Sequence, residues 1–122
     1  MSVKRVLATA AFAVTSAIMS SPAFAHATLQ SSDPQSGSTL AKAPSQVRLK
    51  FNQALEPAFS KIKLTGPRNS AIPLAAAAVD IADPSVLTAP LPALPAGEYH
   101  VLWSAMARDG HKVKGEITFK VK

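Results

Sequence analysis

Val101-Leu102-Trp103-Ser104-Ala105-Met106-Ala107-Arg108-Asp109-Gly110-His111-Lys112-Val113-Lys114-Gly115 is the stretch whose reading decides the fold. A strand-like run carrying the only Trp leads into Asp-Gly-His, and a second alternating strand leaves it. Trp103 shares its strand face with Tyr99 and Val101, which assigns it to the core. Asp109 and His111 offer a carboxylate oxygen and an imidazole nitrogen two residues apart. Gly110 between them permits the backbone angles of a tight turn. Two such donors hold a transition metal poorly, so a metal site here needs help from elsewhere in the chain.

Outward from this hairpin the same period of two recurs. Downstream, Val113, Gly115, Ile117, Phe119 and Val121 alternate with Lys114, Glu116, Thr118, Lys120 and Lys122, predicting a long half-buried strand with a charged outer face. Upstream, residues 98–106 form the preceding strand, and residues 90–97, with three prolines, form a connector. Val47, Leu49 and Phe51 against Arg48 and Lys50 predict a strand over 46–51. Residues 52–57 read as a loop and 59–65 as a strand with Ile62 and Leu64 inward. Residues 33–37 and 66–70 read as turns, 72–74 as an edge strand that tolerates proline, and 85–89 as a further strand. The alanine tract 75–78 is short and flanked by proline-containing segments, so it reads as irregular or edge strand. Short strands between turn signals, without a helix, predict one antiparallel β-sandwich domain. Scattered prolines and lysines suit the protection of its edges.

The start of the chain carries a different signal. Lys4 and Arg5 precede an almost entirely apolar run over residues 6–19, then Ser20-Ser21-Pro22 and the small-residue motif Ala23-Phe24-Ala25. This pattern predicts a secretory signal peptide over residues 1–25 and a domain over 26–122. The run is shorter than the roughly 20 apolar residues of a membrane anchor. Cleavage after Ala25 makes His26 the first residue, with a free α-amine beside its imidazole. Such an amine titrates near about 7.7–8.0, so it gives up its proton far more readily than a lysine amine. One residue then chelates a metal through two nitrogens. Loss of Lys4 and Arg5 lowers the formal charge from +6 to about +4. The remaining basic residues are spread singly between apolar ones, as on wet strand faces, which argues against a nucleic-acid partner. With no cysteine, neither a disulfide nor a thiolate metal site is available.

His26-Ala-x-Leu, Pro34-x-x-Gly37, Leu49-x-Phe51, Phe59-Ser60, Leu94-Pro95-Ala96-Gly97-x-Tyr99-x-Val101-x-Trp103 and Asp109-x-His111-x-x-x-Gly115 occur in one order. In this the chain resembles the CopC family of periplasmic copper-resistance proteins over essentially all of residues 26–122. The resemblance implies an Ig-like Greek-key sandwich of about seven or eight strands. It also implies one copper(II) ion held by the amine and imidazole of His26, the Asp109 carboxylate and the His111 imidazole, a histidine brace. Nitrogen and oxygen donors of this kind suit copper(II). The implied protein is a monomeric periplasmic copper carrier for sequestration, resistance or delivery. It is not an enzyme and is not stably inserted in a membrane, and its partner is an inner-membrane copper importer or another resistance protein. Two departures stand out. Residues 64–74 lack the Met and His that bind copper(I) in some members, and Gln53 stands where the family often has Glu.

Plainer readings apply to several residues. His26 can simply follow a signal peptide, and Asp-Gly-His can be only a turn. His100 reads as a solvated surface residue, Met106 as packing, and Glu56 as a loop residue with a minor claim to orienting a ligand. Two other functions compete: a copper-dependent oxidative enzyme of histidine-brace type, and a metal-free β-sandwich assembly module.

Overall fold

The computed structural model describes residue 11 and residues 27–122. The described chain forms nine strands: β1 (Leu29–Asp33), β2 (Ser38–Leu40), β3 (Gln46–Phe51), β4 (Lys61–Thr65), β5 (Ala71–Ile72), β6 (Ala78–Val79), β7 (Val86–Pro90), β8 (Gly97–Met106) and β9 (Lys112–Val121). Two sheets result, ordered β1-β3-β7-β6 and β2-β9-β8-β4-β5. The expected all-β sandwich is what forms. The strand number exceeds the expected seven or eight because β5 and β6 are two-residue pieces at sheet edges.

Alternation decides which side chains meet between the sheets. Val47, Leu49 and Phe51 of β3 are wholly buried against Ile62, Leu64, Tyr99, Val101, Trp103, Ile117 and Phe119 of the opposing sheet. Phe51 meets Trp103 edge-on, with ring centroids 5.0 Å apart. Such aromatic pairs add roughly 0.5–1.5 kcal/mol beyond the area they bury. Tyr99 stacks on Phe119 at 5.4 Å, and its hydroxyl donates to the Pro95 carbonyl at 2.5 Å, tying the proline connector to the start of β8.

Two details depart from the local pattern. β2 runs parallel to β9, whereas the other strand pairs are antiparallel. Gly37, at φ 81°, donates its N–H to the Thr118 carbonyl at 2.7 Å, so the chain leaves β1 and crosses to the other sheet there. Three residues are too few for their periodicity to announce that strand. The second departure is Phe59, expected in a strand. It closes a 3₁₀ turn, Pro57–Phe59, and β4 begins at Lys61. Pro57 supplies the fixed φ that opens such a turn.

Candidate metal centre

β8 and β9 pair without interruption from Gly97↔Val121 to Met106↔Lys112, which leaves residues 107–111 to turn the chain. Ala107 is the fixed point of that turn. It is wholly buried, its N–H donates to the His111 carbonyl at 3.1 Å, and its carbonyl accepts from Gly110 at 2.9 Å. Gly110 has φ 89°, a left-handed conformation that a Cβ would strain. The turn lifts Asp109 and His111 onto the end of the sandwich, with 33% and 57% of their side chains exposed.

The two side chains face each other. Asp109 accepts the His111 backbone N–H on Oδ1 at 3.0 Å, and its Oδ2 lies 3.0 Å from His111 Nδ1. When Nδ1–H donates to the carboxylate, Nε2 carries the ring's lone pair. A carboxylate in this position both fixes the tautomer of a ligating imidazole and raises its basicity. Asp109 and His111 are therefore brought together as expected. Among the described residues no group of three or more His, Cys, Asp and Glu is placed to hold a metal. His26, the expected third residue, lies outside the described residues.

The described chain begins on the same end. Ala27 is buried in the core. Thr28 is held by Asn52 from both sides: its N–H donates to Asn52 Oδ1 at 2.7 Å, and its carbonyl accepts the Asn52 N–H at 3.1 Å. The segment after β3 then crosses to the hairpin. Leu55, wholly buried, bridges to Ala107, and Glu56 donates its N–H to the Met106 carbonyl at 2.8 Å. One short segment thus ties the chain start to the base of the Asp109–His111 turn. It was expected to be a plain loop, because a single buried Leu has no period. Gln53 and Glu56 lie in this segment and are half-buried.

Gly115, four residues past His111, has a packing reason. A Cβ there would come within 2.5 Å of Trp103 Cζ2, so the indole lies directly over its cross-strand partner. Trp103 is core, as expected, and its buried Nε1 has no partner among the described residues. Met106 is half-buried at the mouth of the turn beside Lys112, whose ammonium sits 5.7 Å above the Phe59 ring. His100 faces the surface as expected, 33% exposed, and in addition its Nδ1 is hydrogen-bonded to Glu116 and its Nε2 is 3.6 Å from Glu98. Glu98 and Glu116 flank it by strand alternation and cross-strand neighbourhood, which the sequence alone did not reveal.

On the opposite sheet, Lys50 reaches Asp83 at 2.7 Å and Ser85 beside it. The Lys50 hydrogen bond, helped by the Ser85 hydroxyl and backbone N–H, holds the Asp83 carboxyl far below the usual carboxylate range. This network fixes the 83–85 loop, from which Pro84 accepts the Leu55 N–H at 2.9 Å.

Residues 29–122 match the CopC domain family. Protein YobA of Escherichia coli K12 is 36% identical over 110 residues, covering 89% of each chain. Copper resistance protein C of Escherichia coli is 41% identical over 107 residues, covering 82% of this chain and 84% of that one. The crystal structure of CopC from Methylosinus trichosporium OB3b superposes with a TM-score of 0.75 at 30% identity, covering 80% of this chain and 94% of that one.

Proposed function

The chain belongs to the CopC family, and from that premise we propose that it binds one copper(II) ion in the periplasm for sequestration, resistance or delivery. The observation that carries this reading is the Asp109–His111 pair, displayed on the end of the sandwich where Asn52 also holds Thr28. The donor set is the α-amine and imidazole of His26 with the Asp109 carboxylate and the His111 imidazole. Three nitrogens and one carboxylate suit copper(II), and soft thioethers, which select copper(I), are confined after residue 25 to Met106. The copper is cargo, and the protein acts as a carrier rather than an enzyme. Removal of residues 1–25 creates the amine and completes the site, so the precursor is not yet competent. The protein acts as a monomer and exchanges copper with an inner-membrane importer or another resistance protein.

The test compares residues 26–122 with the same chain carrying one extra N-terminal residue, titrated with copper(II) under EPR. The extension turns the amine into an amide while leaving both imidazoles in place. Binding should weaken by an order of magnitude or more, and nitrogen hyperfine structure should change, since ligands must be deprotonated to bind. Equal affinity with an identical spectrum would reject the brace. Copper(I) should bind more weakly than copper(II) in chelator competition; comparable tight binding of both ions at separate sites would reject the single-site reading.

A further inference from the structure

We infer that the outer face of the five-stranded sheet, beside the hairpin turn, is a docking site for an extended acidic segment of a partner protein that carries one apolar side chain. The lysines that make it are spread along the sequence, and strand pairing brings them together. Lys61 and Lys114 face outward on either side of Ser104, and Lys63 lies beside Leu102. Two strand spacings, about 10 Å, separate the β4 and β9 sides. Between them lies an open basin of about 530 Å³ lined by Lys61, Lys63, Leu102, Ser104, Lys114 and Glu116, among others.

The chemistry of the lining selects the occupant. Among the described residues, Lys61, Lys63 and Lys114 have no carboxylate within ion-pair distance, and the one acid in the basin, Glu116, is hydrogen-bonded to His100. Leu102 is 39% exposed in the midst of these charges, an apolar anchor point that a merely solvated face does not need. The width takes one extended chain. Trp103 also lines the basin, but it is only 9% exposed and packs edge-on against Phe51, and Phe59 lies under the Lys112 ammonium, so no ring is exposed enough here to stack a nucleic-acid base. A second copy would set lysines against lysines, and residues 1–25, whose charges are Lys4 and Arg5, would be repelled. An acidic segment with an apolar side chain over Leu102 satisfies both features.

The experiment uses metal-free protein, so its outcome is independent of the copper site. ¹⁵N-labelled protein at low salt is titrated with a blocked heptapeptide of Glu and Asp around one central Leu, with a sister peptide carrying Ser at the centre, with an oligothymidine and with phosphatidylglycerol vesicles. The Leu peptide should shift amides of β4, β8 and β9 around Leu102, and more tightly than the Ser peptide. The combined Lys61→Glu, Lys63→Glu and Lys114→Glu variant should weaken it at least about tenfold, as expected for loss of electrostatic complementarity. Reversal of Lys42, Arg48 and Lys122 to Glu should leave shifts at the basin. If the triple variant fails to fold, Lys63→Gln and Leu102→Ser, each judged by an unchanged core spectrum, replace it and should each weaken binding. The inference is overturned by absence of peptide binding, by shifts that follow the control residues, by variants that bind as tightly as the parent, or by tighter binding of oligothymidine or vesicles.

Discussion

His100 and His111 both sit next to carboxylates on the same hairpin, yet their surroundings differ. His100 lies mid-strand with Glu116 on Nδ1 and Glu98 3.6 Å from Nε2, so carboxylates attend both ring nitrogens. His111 lies in the turn, with Asp109 Oδ2 3.0 Å from its Nδ1. The first arrangement ties an imidazole into a surface network. Under the proposed function, the second orients one for an incoming ion. Proximity of a His to an acid is therefore not by itself the signature of a metal site, since in both residues an acid engages Nδ1; what differs is that His100 lies mid-strand between two carboxylates and His111 lies in the turn.

The comparison breaks first at His111. His111→Ala should lower copper(II) affinity by more than the roughly 10–100-fold typical of losing an outer partner. It should also abolish most of the copper-induced rise in melting temperature, which for a native-state ligand at a thousandfold excess over Kd corresponds to about 4 kcal/mol. The apo melting temperature should stay within the change expected of a surface substitution, about 0.5 kcal/mol. An unfolded apo variant would make His111 structural. Asp109→Asn comes next. It keeps the shape but replaces the carboxylate donor beside Nδ1 with a neutral amide, and an affinity loss of at least about 10-fold is expected by isothermal titration. No loss would remove Asp109 from the donor set.

His100→Ala sharpens the contrast from the other side. Copper(II) affinity should change less than twofold, because exposed ion pairs contribute only about 0–1 kcal/mol and lie away from the turn. A loss matching that of His111→Ala would move the site to mid-strand. The smallest effect concerns Asp83, a carboxylate with a purely structural partner. Its carboxyl is depressed in the folded state by Lys50, so its contribution is present above the unfolded pKa and disappears as pH falls toward the folded value. Asp83→Asn should accordingly lower the melting temperature near neutral pH, and the gap to the parent should close as pH drops below about 4. A pH-independent gap would assign the effect to packing.

The pairing of Asp109 with His111 was legible because two residues and a glycine set it locally. The same holds for the inward sets of β3, β8 and β9, since a strand's period of two is written in adjacent residues. Leu55, Asn52 and β2 were not legible. Each acts through a short match across the fold, to Ala107, Thr28 and β9 respectively, over too few residues to show a period.

By itself the sequence determined the all-β class, the identity of the buried faces, the donor types at the turn and the scarcity of thioethers. Each depends on composition or on neighbours along the chain. Only the tertiary structure decided which strands lie side by side, and with that the basic basin. Lys61 and Lys63 are separated from Lys114 by about half the chain, and they share one surface because β8 pairs with β4 on one edge and β9 on the other. Outward alternation told each lysine to face water. Strand order, set by long-range burial of the opposite faces, told them to face it together.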